Sequence, residues 1–314
     1  MRRIAAVFPG QGSQSVGMGV EVAAAVNEAT ALFERARDVL GYDLLALQRE
    51  GPDELLRETR YSQPAIFTTN VALFTACADL HGSVVVSAGH SFGELCSLTV
   101  AEALSFDDAL HIVDERGKAM QAAAEMAPGG MAAVLGLEAD RLRPIVERMQ
   151  RENGDRVQLA NFNSPTQIVI SGDLGAVQRA GEEMLKAGAK RVVPLNVSGA
   201  WHSELMRPAV ERLAAAVNAT EFSLPVFDVV SNVDAQPYRD VEVIKRNLVR
   251  SITHEVRWHE TAERVLSYKP DLIVEFGASA VLVPLIKRLP DAPHTIVVND
   301  MHGVASLRSA LEAA

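Results

Sequence analysis

Residues 4 to 8 form an unbroken apolar run that stops at Pro9-Gly10. A run this short, apolar at every position, predicts a strand buried on both faces. The next pattern is helical: alanine-rich periodicity runs over residues 20–40, with Gly41 as its stop, and a second helical stretch covers residues 63–80. Residues 84–88 (Val-Val-Val-Ser-Ala) predict another buried strand, which runs directly into Gly89-His90-Ser91-Phe92-Gly93-Glu94 and a new helix. A further helix is expected over residues 106–124. Strand, tight turn, helix is the alternation of an α/β fold.

The pattern changes between Gly129-Gly130 and Ser198-Gly199. Residues 131–135 predict a strand, 139–150 a helix, 157–162 and 167–171 two strands around Asn163-Ser164-Pro165, 173–187 a helix with Asp173 at its N-cap, and 191–197 a last strand. The order βαββαβ is the split-βαβ, ferredoxin-like pattern. The expected organisation is therefore a small domain, 129–198, inserted into a larger α/β domain made of 1–128 and 199–314. Beyond it the pattern predicts a helix at 206–217 and strands at 226–231, 272–276 and 295–298.

The 314 residues suffice for a large core, and 48 % hydrophobic with 22 % charged residues excludes a disordered chain. A net charge of −10 argues against nucleic-acid or anionic-membrane partners. No stretch approaches the roughly 20 apolar residues that span a bilayer. Two cysteines, Cys77 and Cys96, make no disulfide framework, and a reducing, cytosolic setting follows. The residues contain no phosphate-cradling P-loop, no HExxH and no metal-ligand cluster, so no metal or other cofactor is expected. The charge is uneven: residues 129–198 hold nine basic and eight acidic side chains, leaving −11 on the remainder.

Gly89-His90-Ser91-Phe92-Gly93 is a G-x-S-x-G sequence between a predicted strand and a predicted helix, the context of a nucleophile elbow. In that context Ser91 is either a nucleophile or the N-cap of the helix. A serine hydroxyl needs a base, and eight histidines compete for the role. His202 lies in a loop between a predicted strand and a helix, while His302 would suit the Ser…acid…His order of a hydrolase triad. His90, beside the serine in a tight turn, is expected to point elsewhere. Arg116 shares an apolar helix stripe with Ala109, Val113 and Met120. A buried arginine needs a partner, either an internal acid such as Glu94 or Glu275 or a carboxylate on a substrate. The Gly10-Gln11-Gly12 loop fails the dinucleotide pattern because position 15 is serine, but a backbone N–H from it could face the elbow and join that of Phe92 as an oxyanion donor.

Four motifs in order, Pro9-Gly10-Gln11-Gly12-Ser13-Gln14, Gly89–Glu94, Arg116-Gly117 with Met120, and Gly199-Ala200-Trp201-His202-Ser203, together resemble the malonyl-CoA:acyl-carrier-protein transacylases, the free-standing acyltransferases of fatty-acid and polyketide synthesis. Residues 161–172 resemble that family's small-domain hairpin, and 248–250 with 256–258 its late helix and loop. The resemblance implies an α/β-hydrolase-like large domain. It implies Ser91 as the acylated nucleophile, His202 as its base, Gln11 and Phe92 as oxyanion donors, and Arg116 as the holder of the malonyl carboxylate. It implies a backbone carbonyl near Ser251 that orients the histidine, which demotes His302, and it sets Asn161 and Asn163 near the cleft floor. The implied partners are malonyl-CoA and an acyl carrier protein, with Lys190 and Arg191 as a basic docking patch beside Lys186. Trp201, where the family commonly has phenylalanine, and Phe92, where leucine is frequent, are expected to reshape the acyl pocket; Ser251 stands where glutamine is common. The rival activities are transfer of a substituted malonyl or other acyl unit, hydrolysis of misloaded carrier proteins, and an esterase using His302.

Overall fold

The computed structural model of the chain describes residues 2–312. Its centre is a five-stranded parallel sheet built from β1 (Ile4–Phe8), β2 (Val84–Gly89), β7 (Asp228–Val230), β8 (Leu272–Phe276) and β9 (His294–Val298), in the order β7-β2-β1-β8-β9. β1 and β8 are buried at every position, β1 as a continuous apolar run and β8 as one interrupted by Glu275, whose carboxylate accepts from the N–H groups of Val281, Leu282 and Val283. The helix Thr59–Thr75 is enclosed over most of its length, polar residues such as Gln63 and Asn70 included, and its face against Phe106–Met126 is marked by the stacked rings of Phe67 and Phe106 5.5 Å apart. Ser105 caps the latter helix by accepting the Asp108 N–H at 3.1 Å.

The second sheet is antiparallel and contains β3 (Gly129–Leu135), β4 (Val157–Ser164), β5 (Gln167–Asp173) and β6 (Arg191–Pro194), in the order β4-β5-β3-β6. The helices Ala139–Asn153 and Leu174–Lys186 pack against it around a cluster that includes Leu142, Ile170 and Met184. The fold is thus α/β, with an α/β-hydrolase-like parallel sheet and a ferredoxin-like antiparallel one. The edge of β4 is tied to the first layer by Phe162 N–H to the Val256 carbonyl (2.9 Å) and Val256 N–H to the Ala160 carbonyl (2.8 Å). That pairing carries Asn161 and Asn163 towards the elbow.

Several local expectations change. The helix expected over 20–40 is two, Val20–Ala25 and Asn27–Leu40, because Val26 adopts an extended conformation; Gly41 is left-handed at the end as expected. The helix expected to reach residue 80 ends at Thr75 and is followed by a 3₁₀ segment, Ala78–Ser83. Asp173 occupies the N-cap position without capping, since its carboxylate is taken by Arg156 in a bidentate pair at 2.7 and 2.8 Å. β6 stops at Pro194, although one further bond to β3, Leu195 N–H to the Met131 carbonyl at 2.9 Å, lies beyond it. The helix expected from 206 begins as a 3₁₀ turn, Glu204–Ala209, and becomes α at Val210.

Within the parallel sheet, the turn after β2 crosses the end of β1 at close range. A Cβ on Gly93 would overlap the Phe8 carbonyl oxygen, and one on Gly89 would overlap the Gly93 backbone. Gly93→Ala is therefore expected to lower the urea midpoint by the equivalent of about 1–3 kcal/mol, the usual cost of overpacking. Gly82→Ala, where the added carbon meets nothing within 4 Å, is the control and should stay within about 0.5 kcal/mol of the parent. Equal midpoints for the two variants would show that the crossing has slack.

Candidate active site

Past the carboxyl ends of parallel strands is where an open α/β sheet leaves room for a ligand, and here that region holds a cavity of about 230 Å³. Gly10 and Gln11 follow β1, His90 and Ser91 follow β2, and Val281 to Leu285 follow β8. The antiparallel sheet and its connections contribute the opposite wall through Met131, Asn161, Asn163, Leu195 and Val197. Gln11, Ser91, Arg116, Asn161, Asn163, Trp201 and His202 all line this space.

Ser91 sits at φ 55°, a left-handed conformation that a residue with a Cβ holds only when its surroundings impose it. This is the geometry of an elbow. The turn stands on Gly89 and Gly93, which approach each other more closely than any side chain permits. Its Oγ lies 2.8 Å from His202 Nε2, and His202 Nδ1 lies 2.7 Å from the Ser251 carbonyl oxygen. A carbonyl only accepts, so Nδ1 carries the ring proton and Nε2 is left free to accept one from serine. Burial, and then the nearby positive charge of Arg116, push the His202 imidazole down to about 3, so the ring is neutral.

Arg116 is 2 % exposed. It donates to Gln63 Oε1 at 2.8 Å and to Ser91 Oγ at 3.1 Å. Among the described residues no carboxylate forms an ion pair with it. Glu94 and Glu275, the internal partners considered from sequence, are engaged elsewhere: Glu94 by Asn232 and Tyr238, Glu275 by the N–H groups of Val281, Leu282 and Val283. Burial lowers the guanidinium to about 10, with the Glu94 charge acting the other way, so it remains a cation at neutral pH. An anionic group entering the cavity meets a preformed, unpaired fork.

Other expectations need correction. Phe92 is buried and does not line the cavity; its ring packs behind it, with the Arg116 guanidinium carbon 5.8 Å from the ring centre. It therefore shapes the acyl pocket only through Arg116, whereas Trp201 does line it. His90 is part of the lining, although it was expected to point away: Nε2 lies 3.0 Å from Asn163 Oδ1 and the ring tilts against Trp258 at 5.7 Å. His302 is exposed at the start of the last helix, off the cavity. Lys190 and Arg191 are exposed on the edge strand side, away from the lining, and Lys186 is bound to Glu183 at 2.9 Å.

Sequence reasoning missed Gln63, Gln158 and Asn232. Gln63 lies in the buried stretch of its helix, residues 62–74, where a polar residue is itself a signal. Gln158 Nε2 donates to the carbonyl of His202 at 3.1 Å and ties the histidine loop to β4. Asn232 follows β7 at its carboxyl end, the position at which a polar residue deserved notice. Among the described residues no group of three or more His, Cys, Asp or Glu is arranged to hold a metal ion, and no helix is long and apolar enough to cross a membrane.

Comparison with known proteins agrees with this geometry. Residues 6–303 match the family model described as an acyl transferase domain. The malonyl CoA-acyl carrier protein transacylase of Salmonella typhimurium is 40 % identical over 312 residues, covering 99 % of each chain. The crystal structure of an acyl carrier protein S-malonyltransferase from Vibrio cholerae is 38 % identical and superposes with a TM-score of 0.92 over 97 % of this chain and 99 % of that one. A malonyl-transacylase solved in complex with a type II polyketide-synthase acyl-carrier protein is 40 % identical, with a TM-score of 0.92 over 99 % and 100 % of the two chains. Over its whole length, and with a serine, a histidine and an unpaired arginine gathered at one cavity, this chain belongs to the acyl transferase family and, within it, to the malonyl CoA-acyl carrier protein transacylases.

Proposed function

We propose that this protein moves a malonyl group from malonyl-CoA to the phosphopantetheine thiol of an acyl carrier protein through a malonyl ester on Ser91. The observation that carries the reading is the buried Arg116 guanidinium, lacking a carboxylate partner and 3.1 Å from the Ser91 hydroxyl. An uncharged acyl group would leave that cation unpaired, whereas the malonyl carboxylate completes it. The cavity, at about 230 Å³, suits a short acyl group, and Trp201 and Met120 in its walls favour malonyl over a larger substituted unit.

In this reading Ser91 Oγ attacks the thioester carbonyl carbon as its proton passes to His202 Nε2. The oxyanion that forms faces the backbone N–H groups of Gln11 and Phe92. The intermediate collapses, the C–S bond breaks, and the leaving thiolate takes the proton from His202. The carrier thiol then enters, gives its proton to His202 and attacks the ester carbonyl; as the C–O bond breaks, Ser91 Oγ takes that proton back from His202. Asn161 and Asn163 form the floor beneath the acyl group, and the Ser251 carbonyl keeps the imidazole in its accepting tautomer. Residues 129–198 act as a small domain inserted between 1–128 and 199–314, a division supported by the separate apolar clusters under the two sheets. The setting is the cytoplasm, in keeping with a chain that has only two cysteines, Cys77 and Cys96, both buried.

Intact-mass measurement after incubation with a panel of acyl-CoAs tests the reading. The parent and His302→Ala should gain one malonyl group on Ser91, Ser91→Ala should gain none, and His202→Ala should load orders of magnitude more slowly. A dead His302→Ala would establish an esterase triad instead. The rate carries a second signature: with His202 held near 3, the base form persists on the acid side. Loading should stay level down to about pH 5.5, where an unshifted imidazole would have lost about nine-tenths of its base form. An acid limb centred near 6.5 would show a solvated histidine in the working enzyme.

Arg116→Ala should reverse selectivity. Malonyl loses a charge-assisted contact of about 1.5–3 kcal/mol, roughly a 10- to 150-fold fall in kcat/KM. Acetyl-CoA loading should hold or rise. Equal losses for both esters would make Arg116 structural.

Lys190 and Arg191 are proposed to meet the acidic carrier protein. Both are exposed at the start of β6, whose chain continues through Leu195 and Val197 on the cavity wall. Lys190→Glu with Arg191→Glu should raise the KM for the carrier protein and leave hydrolysis of a small neutral thioester unchanged. The effect should shrink as salt shortens the screening length to roughly 10 Å at 0.1 M. Unchanged carrier-protein kinetics at low salt would move the docking site to Arg250, since Arg207 and Arg212 are already paired with Glu204 and Glu115.

A further inference from the structure

We infer that Asn232, oriented by Glu94 and Tyr238, is a positioning residue that holds the backbone of Ser91 in its reactive conformation. The inference rests on Ser91 as the nucleophile of the proposed reaction. Three buried side chains, each no more than 2 % exposed, carry it.

Asn232 Oδ1 accepts the Ser91 N–H at 3.1 Å, while its Nδ2 donates to the Gly89 carbonyl at 2.8 Å. One side-chain amide thus grips the turn on both sides of His90. This is the point at which Ser91 is forced to φ 55°, a conformation that persists only when over-determined by its surroundings. An asparagine amide can be turned end for end, and in the reversed orientation Nδ2 would face the Ser91 N–H, donor against donor. Glu94 prevents this. Its Oε2 accepts from both Asn232 Nδ2 and the Asn232 backbone N–H (3.1 Å for the latter), so Nδ2 must lie towards the carboxylate and Oδ1 towards Ser91. The Tyr238 hydroxyl donates to the other oxygen, Oε1, and fixes the carboxylate in turn.

The chain of bonds runs from Tyr238 through Glu94 and Asn232 to the serine backbone, without touching Oγ or the cavity. It reaches the elbow because β7 pairs with β2, placing Ser87 beside Val229 and Ala88 beside Val230. The consequence for chemistry is specific. The Ser91 N–H is consumed by Asn232 and is no oxyanion donor. The 2.8 Å separation of Oγ from His202 depends on a backbone conformation that Asn232 maintains. Loss of the amide should slow attack while leaving the binding of the acyl group, which Arg116 governs, nearly unchanged.

The test reads Ser91 reactivity by two routes. Phenylmethanesulfonyl fluoride, a small neutral electrophile, reports the nucleophile itself; steady-state transfer from malonyl-CoA reports kcat and KM. Asn232→Ala should cut the rate of sulfonylation at Ser91 and kcat by at least about tenfold, with KM for malonyl-CoA within about twofold, since small misplacements of a reacting group weigh on rate. Glu94→Gln keeps an oxygen to accept from Asn232 and presents an amide N–H to the Tyr238 oxygen, which then accepts instead of donating. It should retain both rates within about threefold, whereas Glu94→Ala should resemble Asn232→Ala. A folded Asn232→Ala, with parental melting temperature and parental labelling rate, overturns the inference. Should that variant fail to fold, Tyr238→Phe decides: slower sulfonylation at unchanged melting temperature supports it, and parental labelling overturns it. A parent enzyme that is sulfonylated at Ser91 but never malonylated would sink the malonyl reading alone and leave Asn232 its role.

Discussion

A buried positive charge, with no carboxylate paired to it among the described residues, organises everything around the cavity. Arg116 is lowered by burial only to about 10, so it stays charged. The same charge helps hold His202 neutral, and it donates to the oxygen whose proton His202 would take. Leaving such a cation without an ion-pair partner is costly unless a substrate supplies one. Its hydrogen-bond partners, Gln63 and Ser91, are both neutral, and Glu94, whose charge acts on it, is held by its own hydrogen bonds.

The scaffold makes this possible by dividing the work between two sheets. The parallel sheet supplies the Ser91 turn from a loop at its carboxyl edge, and the helix Phe106–Met126 supplies the cation. The antiparallel sheet supplies the facing wall, anchored by the short backbone pairing between Ala160–Phe162 and Val256. Gln158 crosses the same boundary to hold the His202 carbonyl. Serine and histidine, both in the left-handed region at φ 55° and 58°, come from different loops and are brought within 2.8 Å by these ties.

Much of this was legible in the chain. Short, mostly apolar runs located β1, β2 and β8, since strands buried on both faces need no polar side. The punctuation by Gly129-Gly130 and Ser198-Gly199, with the βαββαβ order between them, marked out the antiparallel sheet. The elbow followed from two glycines bracketing a serine at a strand end, and an arginine in an apolar stripe announced a buried charge. What local pattern determined, then, was the set of elements and the residue types that chemistry demands. Tertiary structure alone decided the rest, because the answers depend on partners far along the chain. Arg116 meets Gln63 instead of Glu94 or Glu275, and Phe92 lies behind the cavity although it adjoins the serine. Asn232 clamps a turn some 141 positions away. Sequence spacing records which side chains share a helix or strand face; it carries no record of which loops the packing of two sheets will bring together.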